Sequence, residues 1–318
     1  MKSTTQPRRS GLTRRQAVRL ATFGAASLLD IASPHQTMGQ ATPGSGSTDD
    51  RGYVRPESLI DVATLVDWRS DPALVPVGFM PTEEFDVAHI PGSGQIDWPE
   101  LEVIDTSDAS IDRWHRAIGE LIGDLGITPD SAVVVYDNGT LFSARLWWIL
   151  SYLGHERVYV LDGGLPAWQA SGHDVETGPP PPTGADPYVG SPNPDVLAQR
   201  DEVLALLNDE DTAIVDARTP AEYADGHIPG AVNLNYPLNA APEPPRYIKP
   251  ASELRPMYNQ VGVTPDRTVI PYCSSGVRSA VTAFTLHLLG FEDVALYTGS
   301  WLEWSNAPDT PRTTGDRP

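Results

Sequence analysis

The chain has 318 residues, of which 40% are hydrophobic and 20% charged, and its net charge is −20. This length is sufficient for two domains of ordinary size. The strongly acidic balance argues against nucleic acid or an anionic membrane surface as a partner. A single cysteine excludes an internal disulfide, a cysteine-rich zinc site and a Cys-x-x-Cys redox pair. An anionic substrate would need a local cationic pocket on so acidic a protein.

The segment 1–41 has the opposite charge balance, with six basic residues and one acid. The pair Arg14-Arg15 is followed by a short apolar stretch at 20–29, a pattern typical of a twin-arginine export signal. The stretch is too short to remain as a membrane-spanning helix. We therefore expect an exported protein, periplasmic or extracellular, cleaved near Ala41 and without stable membrane association afterwards. The alternative is a basic N-terminal tail without a targeting role.

The rest of the sequence contains the same series of motifs twice. The paired copies are 65–69 and 214–218, 89–92 and 227–230, 132–137 and 268–273, and 163–168 and 299–304. Asp137 and Cys273 occupy equivalent positions, because glycines follow each of them at 17 and at 26 residues. Agreement at so many points indicates that the two halves share one fold.

A proline-rich segment separates the two copies. Residues 178–194 contain seven prolines, and prolines in series favour the extended polyproline II conformation. We therefore assign 57–177 to a first domain, 178–194 to a semi-rigid linker and 195–310 to a second domain.

Each half is predicted to alternate strands and helices. The apolar runs 133–136 and 269–272 are typical of buried parallel strands. Helices are predicted over 143–153 and 279–289, and Gly290 is well placed to end the second. Strand–helix–strand repetition predicts an α/β fold with two domains, each a parallel β-sheet flanked by helices and joined by right-handed crossovers.

Cys273 lies where a reactive group is expected in such a fold. It directly follows a predicted strand and precedes a helix, at the edge where open α/β sheets bind ligands. The segment 273–279 is small and polar, so several backbone N–H groups can point inward at the positive end of the helix. The same field lowers the pKa of a thiol and favours the nucleophilic thiolate, and Arg278 adds positive charge. The alternative is a buried structural cysteine, which needs none of these features.

The sequence resembles the tandem rhodanese family of thiosulfate and 3-mercaptopyruvate sulfurtransferases over about residues 57–310. The motifs that carry the resemblance are 216–218, 222–223, 227–230, 272–278 and 299–304. The resemblance implies that only the second half is catalytic, because the carboxylate of Asp137 cannot form a persulfide. The first half is then a structural partner that walls the cleft.

The resemblance also implies a double displacement with Cys273 as the nucleophile. Its thiolate takes the outer sulfur of a small anionic donor such as thiosulfate, and a thiol, a thioredoxin-like protein or cyanide accepts the sulfur from the persulfide. By the same resemblance, the residues that bind the donor and the persulfide are Arg218, Ser274, Ser275, Gly276, Val277 and Arg278. Asp216, His227 and His89 are expected to support the site. No metal and no cofactor are expected.

Two features of the loop bear on competing activities. Related phosphatases and arsenate reductases use Cys-x5-Arg, whereas Cys273 to Arg278 is Cys-x4-Arg, a shorter loop that suits a single sulfur. Ser274-Ser275 departs both from the two basic residues of thiosulfate enzymes and from the Gly-Ser or Gly-Thr of mercaptopyruvate enzymes. Met80 stands where mercaptopyruvate enzymes have an acid linked to His89. We favour thiosulfate over 3-mercaptopyruvate, and the alternative of another class is a sulfur-relay or binding protein without turnover.

Overall fold

The computed structural model describes residues 51–181, 183–184 and 186–318. The predicted export signal at 1–41 and its cleavage site lie outside these residues. Within the described part of the chain, no helix is both long enough and apolar enough to cross a membrane.

The first half alternates strands and helices around one parallel sheet. Its strands are β1 (Leu59–Ile60), β2 (Leu74–Phe79), β3 (Gly94–Ile96), β4 (Ala132–Tyr136) and β5 (Val158–Leu161). Its helices are α1 (Val62–Trp68), α2 (Thr82–Val87), α3 (Asp108–Asp124), α4 (Ser143–Tyr152) and α5 (Gly164–Ala170). The strand order is β1-β5-β4-β2-β3. The central strand β4 is buried at every residue, which explains its continuous apolar sequence.

The second half repeats this arrangement. Its strands are β6 (Leu197–Ala198), β7 (Thr212–Asp216), β8 (Val232–Asn233), β9 (Thr268–Tyr272) and β10 (Leu296–Tyr297). Its helices are α6 (Arg200–Leu206), α7 (Pro220–Asp225), α8 (Ala251–Gln260), α9 (Val277–Leu288) and α10 (Ser300–Asn306). The parallel sets β8-β7-β9 and β10-β6 are joined by a bridge between Val269 and Val294. The resulting order β6-β10-β9-β7-β8 matches the first half strand for strand, which confirms the predicted two-domain α/β fold.

Helix α9 begins two residues before the predicted start. Gly276 precedes it in the left-handed conformation, with φ of 88°, and this turn brings the chain into the helix directly after the Cys273 loop. The C-terminal prediction is confirmed: the helix ends at Leu288, and Gly290, with φ of 84°, donates its N–H to the carbonyl of His287.

The two halves share one hydrophobic core. The equivalent helices α4 and α9 meet there, and the rings of Trp147 and Phe284 lie 4.7 Å apart in an edge-on arrangement. This cluster contains buried residues of both halves, whereas two smaller clusters each belong to a single half. Full burial of one large apolar side chain stabilises a fold by about 1.5–3 kcal/mol, so the shared cluster holds the halves together strongly.

The segment predicted as a linker is anchored to the first half. The N–H of Tyr188 donates to the carbonyl of Gly119 on α3 at 2.8 Å, and the Tyr188 hydroxyl contacts His155 at 2.9 Å. A Cβ at Gly119 would lie 2.8 Å from the carbonyl oxygen of Tyr188. The glycine therefore lets the segment pack directly on the helix.

Candidate active site

Cys273 lies at the carboxyl end of β9, in the loop that leads into α9. Its Sγ accepts a hydrogen bond from the Gly276 N–H at 3.2 Å and a weaker one from the Ser279 hydroxyl at 3.6 Å. Its own N–H donates to Ser300 Oγ at 3.1 Å, and the residue is 1% exposed. The loop therefore wraps the sulfur with donors at a helix N-terminus, where negative charge is stabilised.

Glycine is required at position 276 for two reasons. Its φ of 88° is a conformation that residues with a Cβ rarely adopt. A Cβ there would also lie 2.9 Å from the Thr298 carbonyl oxygen and 3.1 Å from Arg145 Nη1. The predicted loop residues Ser274 and Ser275 are half-buried beside it, and the buried Val277 opens α9.

Arg278 is paired with an acid that sequence reasoning did not place in the site. Its guanidinium forms two bonds to the Glu222 carboxylate, at 2.7 and 2.9 Å, and one to Ser274 Oγ at 2.5 Å. Hydrogen bonds from Arg278 hold the pKa of Glu222 at about 2, against the opposing effect of burial. The positive charge assigned to Arg278 is therefore largely balanced. Glu222 could have been found as the last member of a Thr219-x-x-Glu222 capping box.

Arg218, predicted to orient the donor, forms a buried ion pair with Asp216. Its guanidinium bonds both carboxylate oxygens of Asp216, the shortest contact being 2.6 Å, and also the Gly226 carbonyl at 2.6 Å. The residue is 2% exposed, with its guanidinium 4.6 Å from the Trp301 ring centre. These bonds hold Nε and Nη2 in place, and the role of Arg218 in orienting a donor stays a prediction. Asp216 fixes Arg218, and it also accepts a hydrogen bond from the Tyr272 hydroxyl at 2.6 Å.

His89 and His227 occupy the same structural position in the two halves. The Nδ1 of His227 lies 2.8 Å from the Tyr223 carbonyl oxygen, and the imidazole stacks on the Tyr223 ring with the ring centres 3.7 Å apart. The Nδ1 of His89 contacts the Phe85 carbonyl at 2.9 Å, and its ring stacks on Phe85 at 3.8 Å. Both are buried turn residues that connect a short helix to the next strand, and neither contacts Cys273 in the described structure.

Two further residues of the site were missed. Ser300, at the start of α10, receives the Cys273 N–H. Arg145, on α4 of the first half, donates from Nη2 to Leu101 O and to Thr298 Oγ1, both at 3.0 Å. The sequence signal for Arg145 was that it is the one charged residue in the otherwise largely apolar helix α4.

The equivalent loop of the first half is occupied by its own carboxylate. Asp137 Oδ1 accepts the N–H groups of Gly139 and Thr140 at 2.8 Å and of Leu141 at 3.2 Å, and Oδ2 accepts that of Ser143 at 2.9 Å. Asp137 is 4% exposed. The backbone N–H groups of this loop therefore surround a negative charge, and that charge is the carboxylate of Asp137 itself.

The protein therefore consists of two tandem α/β domains of the same fold. Each domain has an anion-stabilising loop at the end of a central strand, and the loop carries a carboxylate in the first domain and a thiol in the second. Residues 57–171 and 199–307 each match the family described as the Rhodanese-like domain. The chain belongs to the rhodanese family, and the protein is a sulfurtransferase.

Relatives match nearly the whole described chain. A thiosulfate sulfurtransferase of Azotobacter vinelandii is 33% identical over 262 residues, which cover 80% of this chain and 96% of that protein. The sulfur carrier protein TtuD of Thermus thermophilus is 30% identical over 299 residues, which cover 83% and 99%. The crystal structure of SseA from Escherichia coli, described as a 3-mercaptopyruvate sulfotransferase, is 28% identical with a TM-score of 0.66 and covers 77% and 98%.

Proposed function

We propose that the protein transfers a sulfane sulfur from thiosulfate to a thiol or to cyanide through a persulfide on Cys273. The observation that carries the proposal is the setting of Sγ, which accepts the Gly276 N–H and the Ser279 hydroxyl at the N-terminus of α9. Fixed donors at a helix N-terminus stabilise negative charge that develops beside them. The thiolate is the form that attacks sulfur.

The transfer takes two steps. The Cys273 thiolate attacks the outer sulfur of thiosulfate, and the sulfur–sulfur bond of the donor breaks with its electron pair leaving on sulfite. The acceptor then attacks the terminal sulfur of the persulfide, and Cys273 leaves again as the thiolate. Donors that already face Sγ stabilise the negative charge in both steps without rearrangement.

The choice of thiosulfate is supported by the named relative of Azotobacter vinelandii. Met80 supports the same choice, because it stands where mercaptopyruvate enzymes are expected to have an acid linked to His89. 3-Mercaptopyruvate stays the alternative donor, supported by the similarity to SseA and by Ser275 in the loop.

A relay without rapid turnover is the second candidate. It is supported by the similarity to a sulfur carrier protein and by the burial of Cys273. In that role the persulfide is passed to a specific thiol-bearing protein rather than to small acceptors.

The purified chain is assayed for thiocyanate formation with thiosulfate and with 3-mercaptopyruvate, each with cyanide, beside the variant Cys273→Ala. We expect turnover that requires Cys273, and the ratio of kcat/KM for the two donors to favour thiosulfate. A ratio favouring 3-mercaptopyruvate would reverse the donor assignment. Persulfide formation seen by mass spectrometry without turnover would favour the relay, and turnover retained in Cys273→Ala would exclude Cys273 as the carrier.

Residues 1–41 are proposed to export the protein. The support is the twin-arginine pattern in an otherwise acidic chain. Fractionation of cells that express the full chain tests this beside a variant in which Arg14 and Arg15 are both lysine. We expect the protein outside the cytoplasm and its retention inside in the variant; an identical distribution of the two would count against the signal.

A further inference from the structure

Arg145 carries a buried charge without a counter-ion. The residue is 0% exposed, and its Nε and Nη1 have no hydrogen-bond partner. Nη2 bonds only a carbonyl and a hydroxyl, those of Leu101 and Thr298. The guanidinium lies over the rings of Trp148 and Trp114, at 4.9 and 5.8 Å. Among the described residues no carboxylate pairs with it, and an isolated buried charge is costly.

The free edge of this guanidinium faces the Cys273 loop from the other half of the molecule. A Cβ on Gly276 would lie 3.1 Å from Arg145 Nη1, and the N–H of Gly276 is the group that bonds Cys273 Sγ at 3.2 Å. Thr298, whose hydroxyl holds Nη2, lies against the same glycine, with its Oγ1 3.0 Å from that Cβ position. Gly276 therefore bonds the sulfur through its N–H and lies close to the unpartnered Nη1 of Arg145.

The other charged groups around the loop are already compensated or lie in water. Arg278 of α9 also faces Cys273, but its charge is paired with Glu222 of α7. Glu303 of α10 accepts hydrogen bonds from the N–H and hydroxyl of Thr106, and Glu102 is exposed. The pair Asp216–Arg218 is closed, as described above. Arg145 is thus the cation near the sulfur whose charge no described acid balances.

We propose that Arg145 is a positioning residue that serves as the buried counter-ion of the Cys273 thiolate and persulfide, supplied by the first half to the active site of the second. The proposal rests on the proposed function in that Cys273 carries the sulfur. Burial lowers the pKa of Arg145 to about 10, an effect opposed by Cys273 and Glu102, so the side chain stays cationic at neutral pH. The first half, whose own loop is filled by a carboxylate, would then take a direct part in the chemistry.

The test measures the pKa of Cys273 in Arg145→Met. Cys273 is the only cysteine of the chain, so the pH dependence of iodoacetamide alkylation, and of the ultraviolet absorbance of the thiolate, reports on this thiol alone. An opposite charge close to a titrating group shifts its pKa by about 1–3 pH units. We expect a rise of that size, and hence alkylation at least about tenfold slower below the pKa.

Arg267→Met is the matched control. Arg267 also donates to carbonyl groups, those of Gly262, Glu210 and Thr212, but it directly precedes β9, at the opposite end of that strand from Cys273. Its replacement removes comparable bonds and should leave the Cys273 pKa unchanged. Arg145→Lys keeps the charge, so its Cys273 pKa is expected to stay close to that of the parent.

Arg145→Gln is the second neutral variant, because its amide can keep the bond to Leu101 if the methionine variant does not fold. An unchanged Cys273 pKa in a folded neutral variant, checked by circular dichroism, would overturn the proposal. An equal rise in Arg145→Lys would also overturn it, because it would show that packing rather than charge is responsible. Both outcomes are independent of turnover, so they are distinguishable from a failure of the sulfur-transfer assay with Cys273→Ala.

Discussion

The loops after β4 and β9 occupy equivalent positions in the repeat, yet their inward-facing N–H and hydroxyl groups donate to different acceptors. Asp137 receives four backbone N–H groups, whereas Cys273 Sγ receives one N–H and one hydroxyl. The first loop is closed around a permanent charge. The second is wrapped around an atom whose charge changes with protonation.

The difference shows how one scaffold separates binding from chemistry. A carboxylate that saturates its donors stabilises the loop but cannot accept another sulfur atom. A thiolate with fewer donors is less stabilised and so keeps its nucleophilicity. The loop of the second half therefore gives its sulfur fewer donors than the first loop gives its carboxylate.

The largest expected effect comes from giving the second loop the residue of the first. In Cys273→Asp we expect a folded protein, since the new carboxylate can accept the Gly276 N–H, with turnover lowered by about 10⁴-fold or more because the nucleophile is gone. Thiocyanate formation from thiosulfate measures the loss, and circular dichroism measures folding. Turnover within tenfold of the parent would mean that the two loops do not differ in the way proposed.

The next effect concerns the glycine that shapes the thiol loop. Gly276→Ala places a Cβ 2.9 Å from the Thr298 carbonyl in a left-handed conformation, so we expect a loss of about 3 kcal/mol in the free energy of unfolding. Gly92→Ala in the first half is the control, because its φ is 77° but a Cβ there meets nothing within 4 Å. The control should lose about 1–2 kcal/mol. Equal losses in urea unfolding would show that crowding at Gly276 is unimportant.

A smaller effect is expected from Asp137→Asn. The amide keeps one oxygen acceptor but turns an N–H₂ donor towards one of the backbone N–H groups that now bond the carboxylate. We expect a loss of about 1–3 kcal/mol in the free energy of unfolding, with sulfur transfer per folded molecule nearly unchanged. Urea unfolding and the thiocyanate assay measure the two quantities. A large loss of kcat in a stable variant would give the first loop a catalytic part.

The smallest effect concerns Glu222, which is partly exposed. Its pKa is lowered from 4.5 to about 2, mainly by hydrogen bonds from Arg278. A lowered pKa in the folded state means that the stabilisation is complete above about pH 4.5 and is lost as the pH falls towards 2. Glu222→Gln should therefore cost about 1 kcal/mol or less at pH 7, and its unfolding curve should converge with that of the parent near pH 2. A difference that stays constant with pH would indicate that the ion pair does not contribute.

The repeat was sufficient for most of the architecture, but one of its paired motifs was wrongly aligned. Residues 65–69 belong to helix α1, whereas 214–218 contain the end of strand β7, whose equivalent in the first half is β2. The central strands β4 and β9 and the helices after them were predicted from apolar runs and spacing. The strands β1, β6 and β8 have two residues each, too few for any periodicity, and only pairing in the folded sheet defines them.

The site was predictable where its residues are neighbours in sequence. The loop 273–278 and the pairing of Asp216 with Arg218 follow from local order. The contacts of Arg218 with the Gly226 carbonyl and with the ring of Trp301 do not, because only the fold brings these groups together. Arg145 was missed because it reaches the loop from the other half, through packing that sequence spacing does not encode.

The contact between α4 and α9 has a consequence for how the chain can be divided. Two copies of one fold suggest modules that could be exchanged or used singly, but here each half presents an apolar face that only the other half covers. A cut within 178–194 would expose an apolar surface on each piece if they separated, and such surfaces favour self-association. Two copies of one fold thus share a core, and we expect the half with the thiol to be unstable without the half that lacks one.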